Sequence, residues 1–148
     1  MSLTISKKNN DVIFPSKGQN YCKFDEVKVL YYLSQKEKAL PYIDSVLKQT
    51  DNEQEVTESL YIVNRMLDNG VKGIDKMYPT FARFNDTKSP NIQTYLAGVY
   101  RKTKVPDAFG PLVKMLIKNS ISEEKSTVNF DPNEEIGGAI LDYLAWII

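Results

Sequence analysis

Pro41-Tyr42-Ile43-Asp44-Ser45-Val46-Leu47-Lys48 returns further along the chain as Pro111-Leu112-Val113-Lys114-Met115-Leu116-Ile117-Lys118, with Lys76-Met77-Tyr78-Pro79-Thr80-Phe81-Ala82-Arg83 midway between them. Displacing the chain by 35 residues superposes Tyr42, Met77 and Leu112, then Ile43, Tyr78 and Val113, then Val46, Phe81 and Leu116, then Leu47, Ala82 and Ile117. Four columns stay apolar through three copies. Pro41 and Pro111 align as well, while the middle copy carries its proline at Pro79.

The segments before these repeat at a spacing of 36, which aligns Phe24, Leu60 and Leu96, and likewise Val27, Val63 and Val99. An i, i+4, i+7 apolar signature, Val56-Leu60-Val63, recurs at Ile92-Leu96-Val99 and at Ile136-Ile140-Tyr143. That spacing places the apolar residues on one face of a helix. Helices are predicted near 23–34, 36–49, 52–68, 71–84, 90–103, 106–119 and 132–148. Their starts are marked by Asp51 with Gln54 in the capping-box position, by Ser89-Pro90 and by Asp131-Pro132, and one end by Asn69-Gly70. Residues 1–22 hold one apolar island, Val12-Ile13-Phe14, with Pro15 and Gly18 beside it. They read as an irregular arm whose island docks on a single domain over 23–148.

A lone helix pair cannot bury its apolar face, so like pairs stack and demand the same apolar columns in every copy. On these columns, the helix starts and the prolines, residues 23–148 resemble the HEAT/armadillo class of α-helical repeats. The unit is shorter than a HEAT repeat, and the family's Asp followed by a basic residue at the turn is not reproduced. The expected fold is all-α: a short α-solenoid of about three antiparallel helix pairs plus a C-terminal closing helix. The alternative is an irregular helical bundle. The resemblance implies a concave face that binds a peptide or protein segment.

Composition narrows the chemistry. The chain has 148 residues, 42% of them apolar, enough for one domain with a core. Nineteen basic residues balance nineteen acidic ones, so no net field draws it to nucleic acid. The absence of histidine removes Ser-His-Asp and Cys-His mechanisms, histidine metal sites and imidazole switches. The single cysteine, Cys22, rules out an internal disulfide and a Cys-rich zinc site, and reads as a small partly buried apolar residue. No apolar run is long enough to cross a membrane. The opening residues lack a signal-peptide core, so a cytoplasmic protein is expected; the alternative is an exported one in which Met1-Ser2-Leu3 replaces a removed signal.

The remaining motifs have structural readings. The adjacent acids Asp25-Glu26, Glu123-Glu124 and Glu134-Glu135 diverge by about 100° on a helix, so they do not face each other as acid and base must. Asn69-Gly70-Val71-Lys72-Gly73 lacks the spacing of a phosphate loop and reads as a helix stop. Gly137-Gly138 points to close approach of a neighbouring helix. Tyr32, Tyr61, Tyr95 and Tyr100 are not placed on an inward face by the spacing. No catalytic residue, metal ligand or cofactor site is expected.

One pattern suggests a binding site. Lys48, Arg83 and Lys118 share the interval of the apolar columns and predict a basic ladder, with Lys114 as a fourth donor, able to capture carboxylates of a protein or acidic peptide. Cations in the last turn of a helix also complement its negative end without any ligand. The chain therefore reads as a non-enzymatic protein- or peptide-binding module. The alternative is a small enzyme or enzyme accessory protein using Asp, Lys or Tyr on a HEAT-like scaffold. The apolar ending Leu141-Asp142-Tyr143-Leu144-Ala145-Trp146-Ile147-Ile148 either closes the preceding pair or meets a second copy.

Overall fold

The computed structural model describes residues 11–15, 21–121 and 131–147, with side chains from residue 24 onward. A short antiparallel ribbon opens it, β1 (Asp11–Pro15) against β2 (Tyr21–Asp25), with Ile13 opposite Lys23. Over 11–15 and 21–25 this corrects the irregular arm expected for 1–22 and a first helix starting at 23. Val12, Ile13 and Phe14 are β-favouring residues, and a five-residue strand is too short to stand out in a search for helical spacing. The docking of the Val12-Ile13-Phe14 side chains, the burial of Cys22 and the pair Glu123-Glu124 lie outside the described residues and side chains.

Among the described residues, every element after β2 is helical. α1 (Glu26–Gln35) is capped by Asp25, whose Oδ1 accepts from the amides of Val27 and Lys28 at 3.0 and 3.3 Å. A 3-10 turn, Lys36–Ala39, leads into α2 (Leu40–Gln49), and α3 (Glu53–Asp68) follows. The cap of α3 is Asn52, accepting from Glu55 N–H at 2.9 Å, rather than Asp51. One residue outside the cap, Asp51 is left in solvent at 95% exposure.

α3 ends where Asn69-Gly70 places it. Gly70 adopts φ +80°, and the amides of Gly70 and Val71 return to Leu67 and Met66 carbonyls, both at 3.0 Å. A side chain at Gly70 would be strained in this left-handed conformation. The candidate phosphate cradle is thus a helix stop. Next come a 3-10 turn (Ile74–Met77), a four-residue helix α4 (Tyr78–Phe81) and a further 3-10 turn (Ala82–Phe84). α5 (Pro90–Thr103) starts at Ser89, whose Oγ accepts from Ile92 N–H at 3.2 Å. A 3-10 turn (Pro106–Ala108) precedes α6 (Phe109–Ile121), and α7 (Asn133–Ile147) is last.

α3 packs on α5 and α5 on α7, while α2 lies against α3 and α4 and α6 lies against α7. The core follows this row: Val56, Leu60 and Val63 on α3, Ile92, Leu96 and Val99 on α5, and Ile136 and Tyr143 on α7 are buried, with Ile140 packed at its edge. The shared i, i+4, i+7 signature therefore marks the faces that meet. Phe24 closes the other end, stacked on Tyr61 with ring centroids 4.4 Å apart and set edge-on to Tyr95 at 5.8 Å. It occupies the column of Leu60 and Leu96, but from a strand.

The columns at spacing 35 do not share one environment. Met77, Phe81 and Leu112 are buried, whereas Tyr42, Val46 and Ile117 are exposed at 69, 37 and 52%. Tyr42 and Val46 lie on α2 and Ile117 on α6, each entered through a 3-10 turn, and the segment between them is cut into 3-10 and α pieces. A 3-10 turn takes three residues instead of 3.6, so side-chain direction slips by about one position. By burial, Ile43 matches Met77 and Leu47 matches Phe81.

Polar links cross the row. Lys28 pairs with Glu58 at 2.6 Å, Lys102 with Asp68 at 3.0 Å, and Arg101 with Glu135 at 3.3 Å and Asp142 at 2.5 Å. Arg101 lies over Gly138, where a Cβ would come within 2.8 Å of its Nη1. The close approach expected at the glycine pair is therefore made at Gly138 by an arginine side chain; nothing lies within 4 Å of the position at Gly137. Tyr100 and Tyr61 are core residues, and Tyr32 and Tyr95 pack at its edge.

Candidate binding cleft

Lys48, Arg83 and Lys118 sit at the ends of helical segments, as their spacing predicts, and each has a carboxylate partner. Lys48 reaches Asp44 of its own helix at 2.8 Å. Arg83 reaches back to Asp51 at 3.6 Å, donates to the Leu47 carbonyl, and lies over the Phe84 ring at 5.2 Å. Lys118 reaches Asp86 at 3.4 Å. Leu47 belongs to the last turn of α2, whose carbonyls have no partner within the helix, so Arg83 satisfies one of them.

The partners recur too. Asp51 and Asp86 are 35 residues apart, like Arg83 and Lys118, so each of the two acid-base pairs spans 32 residues of chain. The acidic half of this pattern was present in the sequence beside the basic half. Exposed pairs of this kind contribute about 0–1 kcal/mol each. Lys114 is exposed on α6.

A cavity lies elsewhere on this surface. A cleft of about 430 Å³ opens between α2 and the segment from Gly73 to Thr80. Leu40, Pro41, Met77 and Pro79 supply its apolar lining, and Lys48 and Lys76 its cations. Of the three ladder residues only Lys48 reaches it; Arg83 and Lys118 are not among its walls. Lys76 escaped the sequence reading because it belongs to no column.

Both acids of the cleft are already engaged. Glu37 accepts the Lys72 amide at 2.9 Å, and this hydrogen bond is the main reason its carboxyl sits below the ordinary value. Asp44 accepts from Thr80 Oγ1 at 2.5 Å and pairs with Lys48. Burial alone would raise the Asp44 carboxyl, but the hydrogen bonds from Lys48 and Thr80 and the Lys48 charge together outweigh it and hold it below its ordinary value of 3.8. Lys76 has no acid partner among the described residues. The cleft thus offers an apolar floor and an ammonium group with no internal counter-charge.

A pH dependence follows from Asp44. Its folded-state value is depressed, so its contribution to stability is full above the ordinary value near 3.8 and is lost as pH falls through the lower folded value. Thermal melts between pH 5 and pH 2 on the parent chain and on Asp44→Asn should converge at the acid end. A constant difference across that range would count against the pairing.

The chain matches no family model, no curated protein and no solved structure. Its site is accordingly read from its own geometry. Among the described residues there is no group of three or more His, Cys, Asp or Glu placed to hold a metal, and no helix long and apolar enough to cross a membrane.

Proposed function

We propose that the chain is a non-enzymatic protein- or peptide-binding module, a HEAT-like stack of helix pairs in which the cleft between α2 and the Gly73–Thr80 segment receives an acidic peptide segment. The single observation that supports this is the cleft itself. It is large enough for one or two side chains, apolar at Leu40, Pro41, Met77 and Pro79, and bordered by Lys76 and Lys48. Sites of this kind draw affinity from an apolar floor and orientation from a few polar groups.

The chemistry selects the ligand. Asp44 and Lys48 are paired with each other and Glu37 accepts the Lys72 amide, which leaves Lys76 as the cleft's charge with no ion pair among the described residues. A carboxylate next to an apolar side chain would pair with Lys76 while the apolar group covers Met77. The stacked reading is supported by the Asp51–Arg83 and Asp86–Lys118 pairs, which recur at one interval.

Fluorescence anisotropy with labelled peptides that hold one apolar residue between acidic, neutral or basic neighbours tests the reading. Acidic peptides should bind best, and Lys48→Glu with Lys76→Glu should weaken them about tenfold or more, the effect of a like-charge contact. Arg83→Glu with Lys118→Glu should leave them nearly unchanged. Equal affinity for all three peptide classes, or insensitivity to charge reversal in the cleft, would refute it.

A further inference from the structure

A stack of helices normally turns a polar face outward at each end. Here both ends are apolar. Among the described residues, exposed large apolar side chains occur on α1 and α2 at one end and on α6 and α7 at the other, and on none of the helices between. On α1, Val27, Leu30 and Tyr31 form one i, i+3, i+4 face, with Leu30 and Tyr31 at 51 and 61% exposure. On α7, Ile136, Ala139 and Tyr143 are buried, while Leu141, Leu144, Trp146 and Ile147 are 42–66% exposed. A helix that is apolar all round is patterned for packing on both sides.

Two of the three acids of α7, Glu135 and Asp142, are held by Arg101. An outer strip from Gly137 to Ile147 can therefore be covered without burying an unpaired carboxylate, and Gly137 leaves open space on its flank.

We propose that the chain assembles head to tail, with the outer face of α7 in one copy packing against the outer face of α1 in a second copy. Charge favours this arrangement over two α7 helices meeting each other. With Glu135 and Asp142 held by Arg101 and Lys28 by Glu58, α7 still presents the exposed Glu134 and no basic residue, whereas the turn after α1 presents Lys36 and Lys38, both exposed and in no ion pair among the described residues. Like-signed surfaces oppose association and unlike ones favour it. At about 200 Å² per large side chain, the exposed apolar surface of α7 is on the order of 450 Å². That falls short of the roughly 800 Å² per partner of a standard stable interface, so the association is weak and reversible. A head-to-tail contact leaves both outer ends free and produces a series of oligomers rather than one dimer.

Sedimentation velocity of the full chain, from low micromolar to near millimolar concentration, reads the assembly. The expected result is a weight-average mass that climbs past the dimer. Leu141→Glu closes the tail and Leu30→Glu the head; both sites are exposed, and unchanged helical content and melting establish that each variant is folded. Trp146→Glu serves as a second tail variant if Leu141→Glu lowers the melting temperature. Each variant alone should be monomeric, and an equimolar mixture should form a dimer and nothing larger, because one intact head then meets one intact tail. A parent chain that stays monomeric throughout overturns the proposal. So does a head variant that still dimerises, which would mean that α7 meets its own copy. The contact does not use the α2 cleft, so peptide binding by the monomeric variants should persist and the two readings fail separately.

Discussion

Replacing Phe81 by alanine should destabilise the fold by about 3–5 kcal/mol, the range for removing a large aromatic side chain from a packed core. Phe81 is 1% exposed and ends α4, the short helix that lies against α2. Broken as it is between two 3-10 turns, this segment has little helical stability of its own and is held by what it buries. Leu116, its neighbour in the 35-residue column, is only half-buried and packs at the edge of the core. Leu116→Ala should therefore cost about 1–2 kcal/mol, in proportion to the area it covers. Urea unfolding of both variants measures the contrast. Equal losses would mean that the column is uniform after all, and near-native stability of Phe81→Ala would contradict its place in the core.

Gly98→Ala gives the second large effect, opposite in sign to the helix scale. In the interior of an exposed helix, alanine is favoured over glycine by about 1 kcal/mol. At this position a Cβ would come within 2.5 Å of Asn64 Oδ1. Asn64 has no free direction in which to retreat: its Nδ2 donates to the Leu60 and Tyr95 carbonyls at 2.9 and 3.0 Å, and its Oδ1 accepts from Lys102 at 3.0 Å. The methyl group must push apart α3 and α5 or break these bonds, for a net loss of about 1–3 kcal/mol. At this chain length that lowers the melting temperature by roughly 2–4 °C per kcal/mol. Shortening the opposing side chain, in Gly98→Ala with Asn64→Ala, should restore part of the loss, and the double-mutant cycle gives the coupling. A Gly98→Ala melting temperature equal to or above that of the parent would sink the close-approach reading.

The two positions show where sequence reading reaches and where it stops. Phe81 was legible, because an apolar residue that recurs with the period of a helix pair belongs to a buried face. Its column partner Val46 was assigned to the same face by the same argument and is 37% exposed. The argument assumed one rotation of every helix about its axis, whereas Ile43 and Leu47 are the buried pair on α2 and Met77 and Phe81 the buried pair in the next segment, a spacing of 34 rather than 35. Gly98 was not legible, since nothing in its neighbours says that Asn64, 34 positions upstream, would lie across it.

The candidate site divides along the same line. Lys48, Arg83 and Lys118 were found by their interval, and their place at helix ends follows from it. Their partners were half-legible: Asp51 and Asp86 carry the same interval, but Asp51 was taken as a helix cap, a role that Asn52 fills. The cleft was not legible, because its walls come from two segments whose separation depends on how α2 and α4 pack. Lys76 enters it from a 3-10 turn with no counterpart in the repeat columns.

By itself, the sequence determined the all-α class, the approximate bounds of α1–α3 and α5–α7, the stop at Gly70 and the apolar faces of α3, α5 and α7. These depend on local forces: the 3.6-residue period, the fit of a capping side chain to nearby amides, and the freedom of glycine to turn left-handed. Only the tertiary structure decided that Phe24 caps the core from a strand, that Arg83 reaches the Leu47 carbonyl at the end of α2, and that a cleft opens beside Lys76. It also decided which apolar side chains of α1, α2, α6 and α7 stay exposed among the described residues. Those outcomes depend on distances between segments some 30 to 40 residues apart, and such distances arise only when the packed faces fix how each helix lies on the next.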